Sequence, residues 1–141
     1  MSSGAEGGRS GMRILRGRCE CRAVAYEVED DFRYALNCHC SKCRASTGAA
    51  FKPFAGISRD KLVVIQGADM LLVWGEPDGN HTRCGICGSL LFSVIDATRI
   101  HVALGSLVDE PSLKPTAHIF VGSKAPWHEI LDDLPQHEEL E

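Results

Sequence analysis

Apolar residues in this chain fall in short runs that alternate with polar residues and are separated by turn-forming residues. Such runs are typical of β-strands, and no apolar stripe with a helical repeat extends over several turns. The pattern predicts strands over residues 23–28, 34–37, 49–54, 61–66, 70–74, 90–94, 100–104 and 118–121. Because these strands are short and the turns between them frequent, we expect an all-β fold in a single domain.

The connections carry recognisable turn chemistry. Residues 41–47 predict one short helical turn, with Ser41 as its N-cap and Gly48 ending it. Gly67-Ala68-Asp69 predicts a hairpin-like turn between the strands at 61–66 and 70–74, and residues 75–80 predict a loop.

Both ends of the chain differ from its centre in composition. Residues 1–12 are rich in glycine and serine and predict a disordered tail, whereas residues 13–136 carry the apolar runs of the folded domain. From Leu131 the chain becomes acidic and loosely anchored, and residues 137–141 form an acidic C-terminal tail.

Charge narrows the classes of partner. The 141 residues carry a formal net charge of −4 without a block of lysine and arginine, so we expect neither nucleic acid nor an anionic membrane as partner. No apolar run is long enough for a membrane span, and the N-terminus has no signal-peptide core. These features favour the cytoplasm, where cysteine clusters are read as metal or catalytic sites before disulfides. An oligomer is compatible with the sequence.

Seven cysteines occur in three clusters, and the central one contains three within six residues. Side chains alternate along an extended segment, so Cys38 and Cys40 share a face, and a turn after Cys40 would bring Cys43 to the same side. Three thiolates are one ligand short of a closed tetrahedral zinc site and leave a position open for chemistry. The outer clusters are C-x-C at Cys19 and Cys21 and a glycine-rich C-x2-C knuckle, with cysteines at 84 and 87.

Seven thiols divide naturally into four and three, but the spacing alone does not say which four belong together. Cys19 and Cys21 could join Cys38 and Cys40, or they could join the knuckle. Loop closure favours the first grouping by less than ~2 kcal/mol, which cannot decide. The compact central triplet favours keeping Cys38, Cys40 and Cys43 together.

Other polar and aromatic residues give weaker indications. His39 should face away from the metal and serve packing or hydrogen bonding, and the other histidines are interpreted as structural or surface residues. Arg44, Lys52 and Lys124 could hold an anionic substrate, although surface charge is the ordinary role of each. The larger aromatic residues are expected in the core: Phe51, Phe54, Trp74, Phe92, Phe120 and Trp127.

These motifs together resemble the glutathione-dependent formaldehyde-activating enzymes and their centromere-protein-V-like relatives. The resemblance covers residues 15–136 and rests on five motifs in family order: Gly17-Arg18-Cys19-Glu20-Cys21, Cys38-His39-Cys40-Ser41-Lys42-Cys43-Arg44 with Gly48, Cys84-Gly85-Ile86-Cys87-Gly88-Ser89, Gly105-Ser106-Leu107, and His118-Ile119-Phe120-Val121 with Ser123-Lys124-Ala125-Pro126-Trp127.

The resemblance implies a β-tent fold of small antiparallel sheets with two zinc ions per chain. It places Cys19, Cys21, Cys84 and Cys87 on a structural zinc and Cys38, Cys40 and Cys43 on an open, catalytic one. The implied activity is that of a carbon–sulfur lyase, which forms or breaks a hydroxymethyl thioether between formaldehyde and a small thiol such as glutathione. Arg44 and Lys124 are the candidate residues for binding that substrate. The alternative is a non-catalytic module with two structural metals and a surface for a protein partner.

Overall fold

The computed structural model describes residues 12–140. Within this range the chain forms ten strands and one α-helix, α1, which spans Ser41–Thr47. The strands are β1 Ile14–Arg18, β2 Ala25–Glu29, β3 Tyr34–Cys38, β4 Lys52–Ser58, β5 Leu62–Gln66, β6 Leu71–Glu76, β7 Gly79–Cys84, β8 Leu90–Val94, β9 Arg99–Ala103 and β10 His118–Ile119. The predicted tail over residues 1–12 lies almost entirely outside the described residues.

The strands form two sheets. A three-stranded sheet has the order β1-β2-β5, and a seven-stranded sheet has the order β10-β3-β4-β9-β8-β7-β6. All neighbouring strands are antiparallel except β10, which pairs with β3 in parallel. The prediction of an all-β fold with few helical residues is therefore confirmed.

A shared apolar core joins the two sheets. Tyr26 of β2 is fully buried and meets Phe92 of β8 edge-to-face, with ring centroids 5.9 Å apart. The Tyr26 ring lies against Gly17, where a Cβ atom would collide with the ring, so only glycine permits this approach. Alternate residues of β1 and β2 point into this core, as strand geometry requires.

Several element boundaries differ from the sequence prediction. The predicted strand at 49–54 begins instead at Lys52, because residues 48–51 carry the chain out of the helix. The turn at Gly67-Ala68-Asp69 is not a hairpin, since β5 and β6 belong to different sheets. The predicted loop at 75–80 is the tight end of a true hairpin between β6 and β7. The N-cap of α1 is Cys40 rather than Ser41.

The acidic C-terminal segment is not loosely anchored as expected. The backbone amide of His118 donates to Pro135 O, and the amide of His137 donates back to His118 O, at 2.9 Å each. Phe120 and Val121 continue the pairing with Glu139 and His137. The segment therefore adds a backbone partner along β10.

The prediction of a core position is wrong for two of the six aromatic residues. Trp74 and Trp127 are 75% and 72% exposed, whereas Phe54 and Phe92 are buried as predicted. Trp74 lies on β6, the outermost strand of the larger sheet, and its ring stacks on His81 of β7. No α-helix in residues 12–140 is long and apolar enough to cross a membrane.

Candidate metal centres and adjoining cavities

The β1–β2 connection and the β7–β8 connection bring four cysteines together. The sulfur atoms of Cys19, Cys21, Cys84 and Cys87 all lie within 4.8 Å of one another. The Cys19–Cys21 and Cys21–Cys84 sulfur distances are 3.7 Å. A tetrahedral zinc with Zn–S bonds of about 2.3 Å places its sulfurs about 3.8 Å apart, so this donor set fits the ion.

Backbone amides converge on the same sulfurs. Val24 N donates to Cys19 Sγ at 3.2 Å, and Ile86 N donates to Cys84 Sγ at 3.3 Å. The hydroxyl of Ser89 lies 3.2 Å from Cys87 Sγ and lowers the pKa of that thiol to about 5. Donors of this kind stabilise thiolates, which is the form that binds a metal.

The central triplet is built where β3 runs into α1. Cys38 ends β3, Cys40 is the N-cap of α1, and Cys43 lies in its first turn. The three sulfur atoms lie within 4.8 Å of one another, and Cys43 N donates to Cys40 Sγ at 3.3 Å. Within residues 12–140 no histidine or carboxylate joins this group. The donor set fits a soft metal ion held by three protein ligands.

Charge around the triplet favours a thiolate. Hydrogen bonding with Cys43 lowers the pKa of Cys38 to about 6, and the nearby ammonium of Lys52 acts in the same direction. Lys52 is paired with Cys38 across β3 and β4. Burial lowers the pKa of Lys52, while the charges of Cys43, Cys38 and Cys40 oppose that shift.

Lys52 is buried, contrary to its interpretation as a surface charge. Its Nζ donates to Ser93 Oγ at 3.0 Å, and Ser93 Oγ lies 2.8 Å from His81 Nδ1. The ring of His81 stacks on exposed Trp74. A row of side chains therefore runs from Lys52, beside the triplet, along one face of the seven-stranded sheet to its exposed edge.

A second row of polar side chains starts between the first two cysteines of the triplet. His39 is fully buried, and its Nε2 lies 2.8 Å from His118 Nδ1. His118 Nε2 donates a hydrogen bond to the Asp132 carboxylate at 3.0 Å. When each ring carries one proton, His39 Nε2 must donate to His118, which leaves His39 Nδ1 as an acceptor. That atom is buried without a partner in the described structure.

The hydrogen-bonding role expected for His39 is thus confirmed, and the structural role expected for His118 agrees with its burial. Burial lowers the pKa of His39 to about 4, and the neighbouring charges of His118 and His128 act in the same direction. The ring is therefore neutral near pH 7. It also packs on Phe51, with centroids 4.9 Å apart.

Two cavities adjoin α1. The larger, of about 820 Å³, is lined by the β1–β2 and β7–β8 connections and the strand ends beside them, and by residues of α1 and β4. Its lining includes Arg18, Ser46, Phe51, Lys52, Arg83 and Ser89. The smaller, of about 560 Å³, is lined by residues including Lys42, Trp74, His81 and Ser93. The three cysteines of the triplet line neither cavity. Residues close to them do: Lys42 of α1 lines the smaller cavity, Ser46 of α1 lines both, and Lys52 of β4 lines the larger.

The structure does not bring the two predicted substrate-binding residues to either cavity. Lys124 Nζ donates to the backbone carbonyls of Ala125 and His128. Arg44 is half-buried on α1, and its Nε has no partner among the described residues. Both positive charges help to lower the pKa of His39.

Sequence reasoning missed the links that tertiary pairing creates. Nothing in the sequence pattern marks Ser93 as the partner of Lys52, because they lie on β8 and β4, which β9 separates. Asp132 looked like one of several acidic residues near the C-terminus. The one sequence indication for Lys52 was its place inside the predicted strand at residues 49–54.

Comparisons with known proteins agree with this arrangement. The chain is 27% identical over 128 residues to a Halomonas elongata protein named "Putative glutathione-dependent formaldehyde-activating enzyme", covering 83% of this chain and 81% of that protein. A crystal structure of a Rhodobacter sphaeroides protein matches with a TM-score of 0.56 and 28% identity, covering 69% of this chain and 91% of that one. The profile of the family described as "Glutathione-dependent formaldehyde-activating enzyme" matches residues 14–123, which is most of the chain and includes all seven cysteines. The chain therefore belongs to the glutathione-dependent formaldehyde-activating enzyme family.

Proposed function

We propose that this protein is a zinc-dependent carbon–sulfur lyase that joins a small thiol to formaldehyde or a related carbonyl, or reverses that reaction. The observation that carries the proposal is the convergence of Cys38, Cys40 and Cys43 without a fourth protein ligand in the described structure. Family membership supports the same general chemistry.

The two cysteine groups would hold metal ions with different roles. Cys19, Cys21, Cys84 and Cys87 would hold a structural zinc, since four sulfurs complete its coordination. Cys38, Cys40 and Cys43 would hold a second zinc. Bound there, that zinc would supply an open coordination position at which a thiol is deprotonated.

The reaction forms one carbon–sulfur bond. The thiol sulfur adds to the carbonyl carbon, the π-electron pair moves to oxygen, and that oxygen takes up the proton that the thiol has lost. Lys52 holds a buried positive charge beside the triplet, where negative charge accumulates on sulfur and then on oxygen. For a glutathione-like substrate, Arg44 and Lys124 are the partners proposed from the sequence for its carboxylates.

A reducing compartment suits this chemistry. All seven cysteines are free thiols in the structure, and both groups need thiolates to bind a metal. We therefore propose the cytoplasm as the site of action.

Exchange NMR tests the proposal, because the uncatalysed addition of a thiol to formaldehyde also proceeds. With ¹³C-formaldehyde and glutathione at equilibrium, we expect the zinc-loaded protein to accelerate exchange between free formaldehyde and the hydroxymethyl thioether in proportion to its concentration. The Cys43→Ser variant should lose this acceleration. Exchange that is the same with the wild type, with Cys43→Ser and without protein would contradict the proposal.

One observation favours a second function, that of a zinc-stabilised binding module. An enzyme needs its metal at the wall of a substrate cavity, yet the triplet lines neither of the two cavities beside it. In that case the NMR experiment would show no acceleration with any thiol, while both metals would still be needed for folding.

A further inference from the structure

The outermost strand of the larger sheet, β6, has an unpaired edge. On its inner side β6 pairs with β7 along its whole length, Leu71–Glu76. Within residues 12–140 no backbone group pairs with its outer side. Alternate residues of an antiparallel strand direct their N–H and C=O groups away from the paired neighbour. This edge therefore presents hydrogen-bond donors and acceptors that suit another strand.

Other sheet edges of this protein are covered. At the opposite end of the larger sheet, β10 is two residues long and is bonded to the backbone of residues 135–137. In the smaller sheet, β1 is covered by residues 107–109, where Val108 N donates to Arg16 O at 2.7 Å. Among the residues that the structure describes, β5 and β6 have no such cover.

The strand β6 also lacks the residues that usually protect an edge. Soluble proteins protect edge strands with lysine, proline or bulges, or by making them very short. In contrast, β6 has six residues and reads Leu71-Leu72-Val73-Trp74-Gly75-Glu76. Its three central apolar residues, Leu72, Val73 and Trp74, are 56%, 50% and 75% exposed. Because successive side chains point to opposite faces, β6 is apolar and exposed on both faces.

Two neighbouring residues extend this apolar surface. Gly85 N donates to Met70 O at 2.7 Å, and a Cβ atom at Gly85 would lie 3.7 Å from Leu72 Cβ. Met70 and Ile86, which follows Gly85, are 42% and 62% exposed. With the three residues of β6 they expose roughly 600 Å², the upper end for an apolar patch on a monomer. Covering most of this patch in two copies would bury about 1,000 Å², which is enough for a specific interface.

We infer that the protein forms a symmetric dimer in which β6 pairs antiparallel with β6 of a second copy. A two-fold axis makes a single surface complementary to itself, and the pairing continues one sheet through both copies. It also keeps the two Glu76 carboxylates at opposite ends of the strand pair, about 17 Å apart. Parallel pairing would set these like charges side by side. The inference does not depend on the proposed reaction.

Sedimentation velocity of the zinc-loaded full chain tests the dimer, with a phosphine reductant to keep the exposed thiol of Cys21 from forming a disulfide. We expect a reversible monomer–dimer equilibrium that shifts with protein concentration. Leu72→Lys should raise the dissociation constant about tenfold or more, because each copy would then bury a charge at the strand pair. Leu72 lines neither cavity, so zinc content equal to that of the wild type would show that the variant is folded.

Ile65→Lys is the matched control, since Ile65 is 54% exposed on β5, the other uncovered edge strand. It should leave the dissociation constant unchanged. A chain that stays monomeric at every concentration would overturn the inference. Weakening of the dimer by Ile65→Lys but not by Leu72→Lys would also overturn it and would place the interface on β5.

Amide hydrogen exchange of the wild type, followed by NMR, separates strand pairing from stacking of apolar faces and needs no variant. We expect alternate amides of β6 to become protected at the concentrations where the dimer forms. A dimer in which these amides exchange as fast as in the monomer would overturn edge pairing. Protection of β6 in a chain that remains monomeric would show that residues 1–11 cover the edge, and would overturn the dimer.

Discussion

The ammonium of Lys52 lies in the protein interior beside three cysteine sulfurs, and it donates to a neutral hydroxyl. With zinc on three thiolates, the triplet would carry a formal charge of −1 that this ammonium offsets. Without metal, the Cys38 thiol, whose pKa hydrogen bonding with Cys43 lowers to about 6, would still offset the ammonium as a thiolate. The ammonium should therefore favour thiolates in the triplet and strengthen metal binding there.

Lys52→Met tests this role. We expect the variant to weaken zinc binding at the triplet about tenfold, because the favourable charge beside the thiolates is lost. Competition with a chromophoric chelator measures the affinity. Lys52→Arg keeps the charge and should bind zinc nearly as the wild type does; zinc affinity that falls equally in both variants would contradict the electrostatic role.

His118 connects the loop of the triplet to the C-terminal segment through His39 and Asp132. His118→Phe preserves a flat ring but leaves His39 Nε2 buried without a partner. We expect the free energy of unfolding to fall by about 1–3 kcal/mol. Asp132→Ala should cost less in urea denaturation, because that carboxylate is 47% exposed and water can replace it. Equal losses would show that the buried histidine pair contributes nothing of its own.

The turn between β5 and β6 moves the chain from one sheet to the other and depends on Gly67. Its φ is +76°, and a Cβ atom there would collide with the carbonyl oxygen of Ala23, next to the four-cysteine cluster. Gly67→Ala should therefore lower the free energy of unfolding by about 1 kcal/mol more than Gly48→Ala does. Gly48 is the matched control, because its φ is +66° and a Cβ atom there would meet no other atom within 4 Å. Equal losses in urea denaturation would contradict a steric role for this turn.

Elements with strong local chemistry were predictable from the sequence. The helix over Ser41–Thr47, its end at Gly48 and the strand Leu90–Val94 all match. The strand β7 was missed because Gly79, Asn80 and His81 show no apolar alternation, and its strand form depends on hydrogen bonding to β6 and β8 on either side. The turn at Gly67 looked like a hairpin because sequence distance does not reveal a change of sheet.

For the candidate site, spacing favoured the triplet, and the family resemblance implied the grouping of the other four cysteines, but the charged groups around them could not be assigned. Ligand spacing is local, so the three cysteines of the triplet could be recognised within six residues. The burial of Lys52 and its bond to Ser93 depend on the order of strands β4, β9 and β8, which no local pattern records. Arg18 and Arg83 meet at one cavity for the same reason.

At the scale of the whole molecule, the four-cysteine cluster ties the two sheets together. Cys19 and Cys21 follow β1 of the smaller sheet, and Cys84 and Cys87 lie at and just after the end of β7 in the larger one. A metal held by all four would couple its binding energy to folding, whereas the triplet is formed within one connection of the larger sheet.

Cys84→Ser and Cys43→Ser should therefore differ. We expect Cys84→Ser to unfold or aggregate the domain, and Cys43→Ser to keep the fold with about one metal equivalent fewer. Circular dichroism, amide NMR spectra and metal analysis of the purified variants measure these outcomes. Global unfolding by both substitutions would remove the distinction between a structural and an open site.

The central claim is that Cys38, Cys40 and Cys43 hold a metal whose fourth position accepts a small thiol. Titration of the cobalt-substituted protein with glutathione, monitored by visible absorption, tests it most directly. Cobalt has ligand-field bands that depend on its ligands, whereas zinc has none. We expect ligand-field bands to shift toward four-sulfur character and to saturate, because a thiolate suits a metal already bound by sulfur. Cys43→Ser should abolish the shift. A spectrum that shows four-sulfur coordination at both sites before glutathione is added, and that does not change during the titration, would contradict the claim.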